Sequence, residues 1–457
     1  MQMLFPNAAL SALAALALTC APLAAEPSPR AAAAHLAGTD WTQVDRAKLF
    51  DAVVEATEKH FFDAQRLRET DWRARAAATR ASVLDAPDAT QAVARINALL
   101  GELKTSHTAL LTPDDYQYYF LLDIVGAGAG GTEFLTRMFW GSGPYYPGTG
   151  AFTRLIDGRH IVDAVLEGSP AAQAGIRVGD EILGVDDAPY SPVAAFRGRI
   201  GERVRLTLRR TAADAPQAVA VAVIPIQPKS AFSAATRASA RIIEHADSRI
   251  GYVHVWALHE SDSVAAALAG FDPERKERRR GRGREEQADD SAGRKPPDYL
   301  IVDLRGRVGG TAGVAQRLLE LLDDGRKPYW GDSRVYGRER TLSTRKQAAS
   351  YRGRSVLLID HTTRSAGEIM AHGYKRSGFG SVLGTPSAGA VSSGGTHVMP
   401  GDLLLYVAVA GHEFDGRPLE GTGVAPDRRI ERPLPYAAGA DPVLDAALDL
   451  LAQQARH

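Results

Sequence analysis

The sequence predicts a multidomain protein of mixed α+β and α/β class, with a helical N-terminal segment, a β-rich middle unit and an α/β C-terminal half. Three patterns carry that reading. Apolar residues recur at three- and four-residue spacing from Asp40 to about Leu111, alternate with polar ones in the middle, and after Ser239 fill strand-length runs separated by helix-like ones. At 457 residues the chain is long enough for two or three separate cores. Its 54 basic and 54 acidic side chains cancel, which argues against nucleic acid or an anionic membrane as the main partner.

Residues 1–25 stand apart. "AALSALAALALTCAPLAA" is apolar and ends in small residues before "EPSPR", the pattern of a secretory signal peptide cleaved after Ala25. No Lys or Arg precedes the run, and Pro6 and Asn7 shorten it below a comfortable membrane span. The single cysteine, Cys20, lies in this segment; lipidation there is the lesser alternative, since Thr19 precedes it. Cleavage leaves a mature chain without cysteine, so disulfides, thiol nucleophiles and thiolate metal sites drop out together. The expectation is an exported, periplasmic protein.

Residues 26–116 form the helical segment. "DRAKLFDAVVEATEKHFFD" aligns Leu49, Val53, Ala56 and His60, and "TQAVARINALLGELKTSH" aligns Val93, Ile96, Leu99 and Leu100; a small helical bundle is the simplest packing. Residues 117–147, rich in Tyr and Gly, show no clear period. The β-rich unit, 117–230 with that segment included, reads strand, short helix at Pro170 to Ala174, strand, then two alternating strands. Its "GSPAAQAGIRVGDEILGVDD" resembles the PDZ domains of bacterial proteases. That resemblance implies tight turns at Gly175 and Gly179, a loop fixed by Asp180, and a peptide-carboxylate loop upstream at "GTGAF" (148–152).

Residues 231–457 carry the α/β pattern, from "RIGYVHVWAL" and "DYLIVDLRG" through "SVLLID" and "SAGEIMAHGYKRSG" to "DLLLYVAVAG". A charge-dense insertion, 273–297, lacks large apolar residues and reads as a disordered surface loop.

Ser365 opens the helix of "TTRSAGEI", and Ser365 with Glu368 fits a capping box. A hydrolytic serine needs a base, a group orienting that base, and N–H donors for an oxyanion. A helix start supplies unpaired N–H groups, so Ala366 is a natural donor; Gly309 and Gly310, at a strand-to-helix turn, are candidates for the second.

"LIVDLRGRVGG", "TTRSAGEI", "VLGTPSAG" and "DGRPLEGTGVAPD" resemble, in order and spacing, the tail-specific (C-terminal processing) serine proteases, whose nucleophile corresponds to Ser365. The resemblance implies a crotonase-like α/β core. Most bacterial members pair that serine with a lysine, which would stand at Ala390; the nearby Lys375 falls mid-helix. The chain is therefore more similar to the lysine-less subgroup typified by the tricorn protease core. That likeness implies a tetrad of Ser365, His107 as base, Ser106, and Glu420 accepting from the Ser106 hydroxyl. His361 is the rival base; His254, His259, His372, His397 and His412 read as structural, and Glu368 as a cap. The implied function is an exported serine endopeptidase acting on polypeptides, its PDZ-like unit holding a substrate terminus, with no metal or organic cofactor. An inactive peptide-binding scaffold and an esterase on the same core are the alternatives.

Overall fold

The structure is a computed structural model that describes residues 40–128, 131–139, 142–271, 297–306, 309–322, 329–335, 338–343, 351 and 353–454. The expected leader with Cys20, and the charged insertion apart from Pro297, lie outside these residues.

The C-terminal half is built on a six-stranded sheet in the order Arg241–His245, Ser248–His254, Tyr299–Asp303, Arg354–Ile359, Gly380–Gly384, Arg428–Arg429. The first pair is antiparallel and every later pair parallel. Because both faces are covered, the strands are continuous apolar runs. Leu300, Val302, Leu357 and Ile359 pack with the helices Ala312–Leu321 and Ala366–Arg376, while Ile301, Val356 and Leu358 pack beneath the helix Pro442–Gln454. Two parallel strands, Tyr299–Asp303 and Arg354–Ile359, end side by side, and the loops beyond their carboxyl ends carry Gly309–Gly310 and Ser365. That edge is where open α/β sheets place their ligands.

"DLLLYVAVAG" does not join this sheet. Leu403–Ala410 instead lies between Ala109–Leu111 and Ser393–Met399 in a separate antiparallel sheet. One face (Leu403, Leu405, Val407) packs on the N-terminal helices and the other (Leu404, Tyr406) on an aromatic core. Burial on both faces gives it the same apolar run as a parallel core strand, so the sequence alone cannot separate the two.

The same strand explains why the N-terminal helices are a layer rather than a self-contained bundle. Arg46–His60, Trp72–Leu84 and Ala89–Gly101 bury Leu49, Val53, Val93, Ile96, Leu99 and Leu100 against one another and against Leu403, Leu405 and Val407. Asp45 and Asp88 cap two of these helices through their carboxylates. Asn97 then clamps both backbone groups of Leu110, at 2.9 and 2.7 Å, fixing where the chain leaves the last helix for the strand Ala109–Leu111.

Residues 117–147 contain the helices Tyr116–Ile124 and Gly131–Phe139 and most of a strand, Tyr146–Gly148. Tyr118, Tyr119, Phe139, Tyr146 and Phe152 share one aromatic core there. The first of these helices is buried over most of its surface and shows no amphipathic period, which is why it was illegible; the second exposes Thr132, Glu133, Thr136 and Arg137 and buries Phe134 and Met138.

The middle unit is an antiparallel sheet in the order Ala151–Ile156, Arg159–Val165, Glu181–Val185, Arg203–Arg209, Gln217–Ala222, with a short helix Pro170–Gln173. Gly179 has φ 92°, and a Cβ there would meet Ala437 N at 2.3 Å. The buried Asp180 carboxylate accepts from Arg177 N–H at 2.9 Å and from the Arg210 guanidinium at 3.0 and 3.1 Å, so the expected loop anchor is present. Toward the α/β half, Glu167 accepts from His254 Nδ1–H at 2.8 Å and from Trp256 Nε1–H at 2.5 Å. His254 is thus structural, and although burial opposes its charge, Glu167 raises its pKa to about 9.

Beside it, Asp303, Arg305 and Asp441 form a buried ion cluster with bonds of 2.6 to 2.9 Å. Burial alone would raise the Asp303 carboxyl, but the Arg305 guanidinium holds it well below the carboxylate range. Removing one member of such a cluster leaves uncompensated buried charge, which costs about 3–5 kcal/mol. Asp303→Ala is therefore expected to lower the urea midpoint markedly; a midpoint equal to that of the wild type would contradict this assignment.

Candidate active site

Ser365 is built by a constraint on its backbone. It has φ 54° and ψ −123°, a region that a residue with a Cβ rarely occupies. Its N–H is held by Ala390 O at 2.7 Å and by the Glu368 carboxylate at 3.1 Å. The capping-box residues face each other as the sequence predicts, but the Glu368 N–H finds the Ser365 carbonyl, at 2.9 Å, and no capping hydrogen bond ties down the hydroxyl.

Glu368 does more than cap. Its fully buried carboxylate also accepts from Ser387 Oγ–H, Gly389 N–H and Ala390 N–H, each at 2.7 Å. Burial raises its pKa, and these donors counteract that rise. The effect is to press the 387–390 loop against Ser365, in the space where the sequence comparison sought a lysine. Lys375 points elsewhere, to Asp427 at 2.7 Å and Ala425 O at 2.9 Å.

His107 arrives from the far end of the chain. The strand Ala109–Leu111 pairs with Leu403–Ala410, Ala109 opposite Tyr406, and this lays the imidazole against the Tyr406 ring with centroids 5.1 Å apart. Its Nδ1 lies 2.7 Å from Ser106 Oγ. Glu420 joins the group with one addition to expectation: its Oε1 also accepts the backbone N–H of Ser106, at 2.8 Å, while Ser106 Oγ lies beside the imidazole. Oε2 accepts from Val391 and Ser392 N–H at 2.8 and 2.9 Å. Burial alone would raise the Glu420 pKa, yet these donors, with the nearby Ser106 hydroxyl, bring it below the ordinary value. The carboxylate stays charged. His107 itself is driven down to about 3, first by burial and then by the Arg364 guanidinium and His412, with Glu420 opposing.

His107, Gly309, Gly310, Arg364, Ser365 and Tyr406 line one cavity with the side chains of Tyr116, Phe120, Phe152 and Phe232. Gly310 has φ 143°, and a Cβ there would overlap Leu258 O, at 2.1 Å, so only glycine fits. Gly309 passes close to the serine: a Cβ on it would stand 3.9 Å from Ser365 Cβ. Ala366, Gly309 and Gly310 have no hydrogen-bond acceptor recorded for their N–H groups among the described residues. His361, the rival base, faces away and accepts from the Arg154 guanidinium in a different cavity. His259 contacts Ser233, His372 and Phe414 pack ring to ring, and His397 stacks on His60. His412, bonded to Ser393 Oγ at 2.7 Å, lies near enough to act on His107 electrostatically. Sequence reading missed the two residues that shape the imidazole's surroundings, Arg364 and Tyr406. Arg364 could have been suspected from its place beside Ser365; Tyr406 carried no signal.

Comparisons with known proteins agree with this organisation. Residues 249–430 match peptidase family S41, and residues 161–210 match the PDZ domain family. A tricorn protease homolog of Streptomyces coelicolor is 28% identical over 325 residues, 66% of this chain and 25% of the relative. The carboxy-terminal processing protease CtpA of Bacillus subtilis is 25% identical over 304 residues, 64% of this chain and 58% of the relative. The chain thus spans a quarter to under two thirds of these relatives' lengths. Among solved structures, mature CPAF aligns at TM-score 0.50 and 12% identity over 90% of this chain and 97% of that one, a likeness of fold.

The low pKa of His107 has a consequence for stability. Between about 3 and the ordinary 6.5 the unfolded chain binds a proton there that the folded chain does not. The contribution is complete above about 6.5 and is lost as pH falls toward 3. Wild type should therefore lose more denaturant resistance between pH 7 and pH 4 than His107→Gln; equal losses would contradict the buried, neutral imidazole.

Proposed function

We propose that this chain, whose residues 249–430 match peptidase family S41 and residues 161–210 the PDZ domain family, is an exported serine endopeptidase that uses a histidine base. The observation that carries the reading is convergence: His107 and Ser365, from opposite ends of the chain, line one cavity with a glycine turn and a helix start.

In this reading the tautomer decides the proton path. Nδ1–H of His107 donates to Ser106 Oγ, and the Ser106 hydroxyl turns its proton toward the Glu420 carboxylate. Nε2 is then a lone pair facing the cavity, able to take the Ser365 proton as Oγ attacks a peptide carbonyl. A resting pKa near 3 keeps Nε2 unprotonated at any physiological pH. The negative charge that grows on the tetrahedral adduct raises the imidazole's proton affinity as attack proceeds. Ala366 N–H and those of Gly309 and Gly310 receive the oxyanion, aided by the helix start. Collapse passes the proton from His107 to the leaving amine, and water repeats the sequence on the acyl-enzyme.

The chain is divided as 1–25 leader, 26–116 helical segment, 117–230 PDZ-bearing unit and 231–457 catalytic core. The strand Ala151–Ile156 lies at the edge of its sheet and begins within "GTGAF" (148–152), which supports capture of a substrate terminus as an added strand. Export rests on residues 1–25; no helix among the described residues is long and apolar enough to cross a membrane.

A fluorophosphonate probe tests the reading. Wild type should label at Ser365, and Ser365→Ala should not. His107→Ala should lower peptidase kcat by roughly 10³-fold or more, and Glu420→Gln by about 10²–10⁴-fold. Equal labelling of wild type and Ser365→Ala, or labelling of neither, would favour a non-catalytic scaffold; full activity in His107→Ala would remove the histidine base.

A further inference from the structure

The cavity beside Ser365 does more than receive a carbonyl: apolar and aromatic side chains make up most of its wall, with His107, Gln117 and Arg364 among the polar groups. Phe120, on the helix Tyr116–Ile124, lines it close to both the glycine turn and Ser365: the position a Cβ would take on Gly309 lies 3.9 Å from the Phe120 ring and 3.9 Å from Ser365 Cβ. Phe120 also packs on Phe232, ring centroids 5.5 Å apart, and Phe232 stacks on Trp256 at 6.1 Å and 7°. The floor is therefore a stack of aromatic rings with little room to yield.

We infer that this cavity holds the side chain of the residue whose carbonyl is attacked, and that Phe120 sets its upper size limit at a branched aliphatic. The inference rests on the reading of Ser365 as nucleophile. The carbonyl carbon attacked by Ser365 carries the same residue's Cα one bond away, so that residue's side chain lies within reach of the cavity that Ser365, Gly309 and Phe120 line together. The cavity measures about 60 Å³. A cavity of about 150 Å³ is what it takes to admit benzene. Alanine, valine or leucine, with slight yielding of the walls, fits; a phenyl or indole ring does not. Charged side chains are excluded on separate grounds. A lysine or arginine would be stripped of water among aromatic rings and would meet the Arg364 guanidinium in the same lining.

This divides the work of the 117–147 segment from that of the tetrad. Its first helix supplies no group that transfers a proton; it brings one ring to the glycine turn and thereby selects what may be cut.

The test uses internally quenched peptides identical except at one residue, X, with the cut position read by mass spectrometry. For the full chain, cleavage after X as Val or Leu should exceed cleavage after Phe or Lys by about ten-fold or more in kcat/KM. In Phe120→Ala the Phe-to-Val ratio should rise by about ten-fold or more, and in the milder Phe120→Leu by a smaller factor in the same direction. A ratio taken within one preparation is indifferent to how much of a variant folds. An unchanged ratio in both variants would overturn the assignment of Phe120, as would a preference that follows the residue after the cut. Wild type that hydrolyses none of the peptides and takes no fluorophosphonate would bring down the nucleophile reading, and this inference with it. Hydrolysis with a preference insensitive to Phe120 would bring down this inference alone.

Discussion

The site depends on one constraint, the backbone of Ser365 held at a positive φ between two acceptors for its N–H. Left alone, a serine at a helix start spends its hydroxyl on capping. Here the Ala390 carbonyl and Glu368 carboxylate take the N–H, and the strained turn carries Oγ toward the cavity. Such a conformation costs about 1–3 kcal/mol and persists only where its surroundings over-determine it. Glu368 does that, since four donors on two segments converge on one buried carboxylate. The loop thus pinned supplies, at Val391 and Ser392, two of the N–H groups that hold Glu420. One carboxylate shapes the serine's turn and the other anchors the histidine's, and a single short loop links them.

Topology explains why the histidine can come from so far away. The central sheet sets the serine and glycine turns at the ends of neighbouring parallel strands. The separate three-stranded sheet, with Leu403–Ala410 in its middle, ties the N-terminal segment to the same edge. Burial between Tyr406 and the cavity wall, with Arg364 near, makes a charged imidazole unfavourable at rest. Glu420 pulls the other way. The balance keeps the imidazole empty of protons at rest, with a charged carboxylate close by.

Much of this was legible in the sequence, and for identifiable reasons. The helix periods at Leu49–Val53 and Val93–Leu100 and the strand-to-helix junction at Ser365 are local patterns with local causes, whereas the turn at Gly179–Asp180 was implied by the PDZ resemblance. The candidate tetrad was reached through family resemblance; spacing alone could not bring position 107 to position 365. The Tyr-rich helix Tyr116–Ile124 was not legible, because residues buried on most sides carry no period. The strand Leu403–Ala410 was assigned to the wrong sheet for the same reason. Glu368 was half read: a capping glutamate is a local signal, but its hold on Gly389 and Ala390 is tertiary. That Glu420 takes the Ser106 backbone N–H as well needed coordinates.

The central claim is that His107 rests as a neutral imidazole with its proton on Nδ1 and its lone pair on Nε2. Nitrogen-15 NMR of histidine-labelled protein, with His107→Gln to assign the signal, measures this directly. The account predicts a proton on Nδ1, an unprotonated Nε2, and no titration between pH 7 and pH 5. A signal titrating near 6.5, or a proton resting on Nε2, would contradict it.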